Sequence, residues 1–152
     1  MPRVVKACLL AAVLVGLAVI PATSVGAQLR PAASKGATVT LKKSSSAGTI
    51  LVASGQVLFY FTRDHGAKSS CFSTCAVTWP PFDSSHPVAG AGVEQKLLST
   101  IRRGSSRQVT YDGHPLYLYN TTGGFLQQTF YIGVNNFGGI WEGVRANGAG
   151  VR

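Results

Sequence analysis

The sequence predicts a mainly β fold: two diverged hairpin or meander repeats packed into one compact domain, sandwich or barrel-like, with little helix. Three observations carry this expectation. From Thr49 onward, short runs of β-branched and aromatic residues are separated by glycine-containing turns, the pattern of an all-β domain. Two of those turns, Ser54-Gly55 and Asp112-Gly113, have the composition of tight hairpins with a positive backbone angle at the glycine. The strands around them, "GQVLFYF" at 55–61 and "GHPLYLY" at 113–119, share one pattern: glycine, two residues, leucine, an aromatic, any residue, an aromatic.

The chain opens with Arg3 and Lys6, an apolar run from Ala7 to Ile20, and small residues ending in Val25-Gly26-Ala27. That order reads as a secretory signal peptide over residues 1–27, cleaved after Ala27. The apolar run is shorter than the roughly 20 residues a membrane span needs, and no later run is long and apolar enough. Cys8 lies at the start of the run and is expected to leave with the signal. Cys71 and Cys75 remain, and an even count in an oxidising compartment predicts one disulfide.

Loss of Arg3 and Lys6 leaves 12 Lys plus Arg against 5 Asp plus Glu, lowering the formal charge from +9 to +7. About 125 residues suit one domain with a real core. Export argues against nucleic acid as a partner, whereas an anionic cell-wall polymer or envelope component fits the charge.

Residues 28–46, rich in Ala, Ser, Lys and Thr, read as a flexible linker ending in a short edge strand at 37–41. The two-repeat β domain is expected over 47–146 and a flexible tail over 147–152. A third turn is expected at "RRGSSR", and "VEQKLLS" at 93–99 has room for a helical turn. Each repeat strand is followed by a tryptophan, Trp79 in "VTWPPF" and Trp141 in "GIWEGV". The strands are apolar on both faces and belong in the middle of covered sheets. The expected core comprises Phe59, Phe61, Leu116, Leu118, Trp79 and Trp141.

The ordered set "GQVLFYFTRD", "CFSTCAVTWPPF", "QVTYDGHPLYLY" and "GVNNFGGIW" resembles a bacterial secreted-repeat family with a Tyr-x-x-x-x-Asp motif, whose members are often lipoproteins. The resemblance covers roughly residues 48–145 and implies an exported domain, but brings no biochemical activity with it. Carried over by position, the motif falls on Phe59, Phe61 and Asp64, with phenylalanine in place of tyrosine. In the second copy Tyr117 and Tyr119 match, and Thr122 stands where the acid belongs. The chain lacks the lipid-bearing cysteine of the lipoprotein members.

The candidate chemistries are few. Ala76 after Cys75 excludes a haem attachment motif, and the cysteines are too far apart for a thioredoxin-type pair. A copper site would use Cys71, Cys75 and one of His65, His86 or His114, but each histidine sits in a loop or turn sequence. The acids Asp64, Asp83, Asp112, Glu94 and Glu142 are isolated, and no nucleophile elbow or zinc-protease motif occurs. Arg102, Arg103 and Arg107 share one hairpin and form a candidate anion patch. The expected function is a secreted, non-enzymatic envelope or extracellular binding module without a cofactor. The alternative is an extracytoplasmic thiol or copper protein using Cys71 and Cys75.

Overall fold

The computed structural model describes residues 36–121 and 123–152. The expected signal peptide, Cys8, the first part of the expected linker and Thr122 lie outside the described residues. Among the described residues, no helix is long and apolar enough to cross a membrane.

In chain order the elements are β1 (Thr38–Ser44), β2 (Gly48–Ala53), β3 (Gln56–Val57), β4 (Phe59–Phe61), α1 (Thr74–Thr78), β5 (Val88–Ala89), β6 (Leu98–Arg103), β7 (Ser106–Tyr111), β8 (His114–Pro115), α2 (Phe125–Gln128), β9 (Asn135–Asn136), β10 (Gly139–Val144) and β11 (Gly150–Val151). Short 3-10 turns occupy Gln95–Leu97, where a helical turn was expected, and Thr129–Tyr131. Among the described residues the strands form three sheets, ordered β3-β2-β1-β5, β11-β10-β4 with β9 beside β10, and β6-β7-β8. The fold is mainly β, and among the described residues no closed barrel forms.

Two meanders, β1-β2-β3 and β6-β7-β8, are laid out alike. Val52 pairs with Val57 in the first and Thr110 with Pro115 in the second, each partner 58 residues on from its counterpart. The tight turns explain the common register. Ser54 and Gly55 have φ of 50° and 79°, and Asp112 and Gly113 have 48° and 77°. Both central residues are left-handed, the turn whose twist matches the flanking strands. Beyond each turn the chain bonds back to its own meander, Leu58 N–H to Leu51 O at 3.1 Å and Leu116 N–H to Val109 O at 2.9 Å.

The halves then meet. Phe59 N–H donates to Tyr117 O at 2.9 Å, and Tyr117 N–H donates to Phe59 O at 3.0 Å. On its other side Phe59 pairs with Gly143 of β10, while Tyr117 bridges Pro81. This places Trp79 and Trp141 face to face, with ring centroids 4.0 Å apart and planes 5° from parallel. Trp141 also stacks on Phe61 at 4.2 Å, and Trp79 tilts over Tyr119 at 4.7 Å. Phe59 meets Trp79 edge-on at 5.0 Å, and Tyr117 meets Trp141 edge-on at 5.2 Å.

Alternation along the strands divides the interior into two clusters. Ile50, Val52, Phe59, Phe61 and Tyr117 join the tryptophans on one side; Leu51, Ala53, Leu58, Tyr60, Val109, Tyr111 and Leu116 pack on the other. The expectation of strands covered on both faces is met here. Leu116 and Leu118 contribute to the second cluster, not to the tryptophan core, and Leu118 is only partly buried. Both indole N–H groups are buried with no hydrogen-bond partner among the described residues. Each such group costs about 1–3 kcal/mol. Removing about 150–250 Å2 of aromatic surface from water returns about 4–6 kcal/mol per ring, so burial wins.

Two expected boundaries are corrected. The part of the linker at Thr38–Ser44 is β1, paired with β2 from Val39 opposite Ala53 to Ser44 opposite Gly48. Its Lys42 and Lys43 disguise a strand that needs only Val39 and Ser44 fully inside. The tail is also tied down: Gly150 and Val151 form β11 against Val144 and Gly143, and Arg145 N–H bonds Ala149 O at 2.9 Å.

Trp79→Ala and Trp141→Ala should each destabilise the domain by about 3–5 kcal/mol in urea unfolding. Either Trp→Phe change should abolish the exciton couplet that a parallel indole pair produces in far-UV circular dichroism. A couplet that survives in one of these variants would contradict the stack.

Candidate functional site

The segment from Cys71 to Phe82 carries the chemistry that the sequence singles out. A 3-10-like bond from Cys75 N–H to Phe72 O and helical bonds from Val77 N–H to Ser73 O and Trp79 N–H to Cys75 O wind one turn. That turn brings the two cysteine Cα atoms to 5.3 Å, and the expected disulfide is present. Pro80 biases Trp79 to leave the turn extended, which delivers its ring to the core. Cys71 is fully buried and Cys75 nearly so, both packed in the tryptophan cluster.

A polar network runs beside this turn. Asp64 Oδ1 accepts hydrogen bonds from Ser70 N–H at 2.7 Å and Ser70 Oγ at 2.9 Å, while Oδ2 accepts from Tyr117 Oη at 2.8 Å. Ser69 Oγ lies 2.6 Å from the same phenol oxygen. Arg103 donates to Ser69 Oγ, to Gln108 Oε1 at 3.0 Å and to the carbonyl of Cys71. Gln108, fully buried, completes itself by donating Nε2 to Leu116 O at 2.9 Å. Asp64, just beyond β4, therefore binds Tyr117, just beyond β8.

Burial pushes the Asp64 carboxyl above its usual range, although Ser70, Tyr117 and the Arg103 charge pull it back. Burial also pushes the Tyr117 phenol up to about 12; its hydrogen bond with Ser69 opposes this, and the Asp64 charge reinforces it. Tyr60 is raised for the same first reason, its hydroxyl bonded to Tyr111 O at 2.7 Å.

The three hairpin arginines divide. Arg102 and Arg107 are direct cross-strand partners, both exposed, and Arg107 Nη1 reaches Thr100 Oγ1 at 3.2 Å. Arg103, one residue on, alternates to the other face and enters the network above. The expected patch of three is thus an exposed pair plus one cation held against the disulfide turn. Sequence reasoning did not single out Ser69, Ser70, Lys68, Phe72 or Gln108. Phe72, a lone large apolar residue in the polar stretch "SSCFSTC", was the one available signal.

The remaining titratable groups are dispersed. Glu94 pairs with Lys96 at 2.8 Å and Glu142 with Arg152 at 2.6 Å. His114 packs its ring on Tyr60 at 4.8 Å, and His86 Nδ1 lies 2.9 Å from Ser85 Oγ. Among the described residues, no three His, Cys, Asp or Glu side chains gather to hold a metal ion. No family model, curated protein or solved structure matches the chain.

Folded Tyr117 keeps its proton to about pH 12, whereas an unfolded tyrosine releases it near pH 10. The folded state then holds more protons, so this group's contribution to stability is lost as pH rises from about 10 to about 12. Urea unfolding at about pH 9 and about pH 11 should show a smaller alkaline loss in Tyr117→Phe than in the parent. An equal loss would contradict the burial of this phenol.

Proposed function

We propose that the chain is a secreted, non-enzymatic binding module of the cell envelope that takes an anionic wall polymer on its basic hairpin face. One observation carries this reading: Arg102 and Arg107 stand directly opposite each other at the exposed end of the β6-β7 hairpin. Among the described residues neither forms an ion pair. Like charges opposed across a strand pair destabilise a hairpin, and the one contact that offsets this is the exposed Arg107–Thr100 hydrogen bond. A polyanion laid across the pair would relieve the repulsion and gain from both charges.

Other features support the same reading. The signal sequence read at residues 1–27 and the resemblance to secreted repeats both point to export, where wall polymers are the abundant anions. The two meanders with common register fit a pair of diverged copies of one β unit, a scaffold for presenting a surface. The alternative, thiol or copper chemistry at Cys71 and Cys75, requires the disulfide to open. Reduction needs a thiolate to reach a sulfur, and both sulfurs are packed beneath Trp79 and its neighbours.

The mature protein should be retained by isolated cell wall at low salt and released at high salt, as expected for exposed charges. Replacing Arg102 and Arg107 together by serine should weaken retention about thirtyfold, given ~1 kcal/mol for each cation near an anionic surface. Failure of the parent to be retained at either salt would overturn the reading.

A further inference from the structure

Between the disulfide turn and the β6-β7 hairpin lies a groove of about 400 Å3, lined by Lys68, Ser69, Phe72, Ile101, Arg102 and Arg103. Resting on the binding-module reading and narrowing it, we propose that this groove holds a carboxylate-bearing sugar unit of the polymer, its ring on Phe72 and its carboxylate on Arg103 and Lys68.

Phe72 is the first reason. Its ring is 57% exposed although it is flanked by a disulfide that holds its backbone in place. The Arg103 guanidinium lies 4.5 Å from the ring centroid and covers part of it. A fixed aromatic ring at the edge of a groove is a platform for the apolar C–H face of a sugar.

Arg103 is the second reason. A guanidinium has five N–H donors. Nη1 uses its two on Ser69 and Gln108, and Nη2 uses one on the Cys71 carbonyl. All three acceptors are neutral, so the half-buried charge is not cancelled by a contacting carboxylate, and Asp64 is reached only through Ser69 and Tyr117. Among the described residues, the second Nη2 proton and the Nε proton have no partner. Both are donors of a charged guanidinium, to which a carboxylate makes its strong, charge-assisted hydrogen bonds.

The surroundings hold this arginine ready. Its side chain is anchored by a buried glutamine and a carbonyl inside the disulfide turn, so little freedom is left to lose on binding. Lys68, exposed and lining the same groove, adds a movable point charge. The groove's volume lies within the range that accommodates one small ligand unit. A polyol phosphate without rings satisfies the cations but leaves Phe72 unused, which is why the acidic sugar is favoured over it.

The test titrates the mature, disulfide-bonded protein with three probes: a uronic-acid oligosaccharide, a neutral oligosaccharide of the same length, and poly(glycerol phosphate). Amide chemical shifts give the site, and calorimetry gives the affinity. The uronic-acid oligomer should bind, with shifts at 67–73 and 101–104, while the neutral one should not. Phe72→Ala should weaken that binding about tenfold and leave poly(glycerol phosphate) unaffected. Lys68→Ala should weaken both anionic probes, and Phe72→Tyr should restore the parent affinity. Unfolding curves for each variant exclude simple loss of the fold.

Several outcomes overturn the groove proposal: equal binding of both anionic probes regardless of Phe72, shifts confined to Arg102 and Arg107, or no binding of the uronic-acid oligomer. If isolated wall still retains the parent and Phe72→Ala equally, only the groove assignment falls. If wall retains neither, the broader reading falls with it.

Discussion

The reciprocal pair of hydrogen bonds between Phe59 and Tyr117 is the constraint on which the structure depends. Each meander alone is three short strands, and its last strand exposes an edge and an apolar side chain on either face. Joining the two edges at this one residue pair satisfies both backbones and brings two tryptophans into contact across the seam. Each indole then meets its own half edge-on and the other half by its face. The aromatic contacts add about 0.5–1.5 kcal/mol per pair to the burial itself, so the seam is held more by side chains than by its two hydrogen bonds.

The same seam organises the polar side of the molecule. Tyr117, fixed in the core by its backbone, directs its hydroxyl outward to Asp64 and Ser69. Ser69 passes the connection to Arg103, whose guanidinium holds the Cys71 carbonyl. Strand β4, the disulfide turn and the β6-β7 hairpin are thereby tied at one point. Asp64 works as a link between the halves, and its hydrogen bonds to Ser70 also close the 64–70 loop. The disulfide sits where this network meets the tryptophans. It fixes the position of Trp79 on one side and of Phe72 on the other.

Much of this was legible in the sequence wherever local chemistry and global need agree. The Ser-Gly and Asp-Gly turns, the cysteine spacing and the two core tryptophans all correspond to features of the structure, whereas the expected strands 55–61 and 113–119 are broken into Gln56–Val57, Phe59–Phe61 and His114–Pro115 with a bridge at Tyr117. Strand β1 was legible only as a short piece at 37–41, because Lys42 and Lys43 break the apolar pattern and the strand asks for few buried residues. Strand β11 contains only Gly150 and Val151, too short to leave a periodic pattern. Helix α2 follows two glycines, which locally argue against helix; Gln128 in it is buried because its Oε1 accepts the Val57 N–H at 2.7 Å. Such a long-range polar need leaves no signal in sequence. The division of the arginines follows from strand alternation, but only after the register that opposes Arg102 to Arg107 is known.

Hydrogen exchange under native conditions, residue by residue, tests the central claim most directly. If the Phe59–Tyr117 seam holds the fold together, the amides of Phe59 and Tyr117 exchange only through global unfolding and share the slowest rate. Leu58 and Leu116, bonded within their own meanders, should follow them at the same free energy. Exchange of Phe59 and Tyr117 well ahead of Leu58 and Leu116 would mean that the halves separate while each stays folded, and would contradict this account.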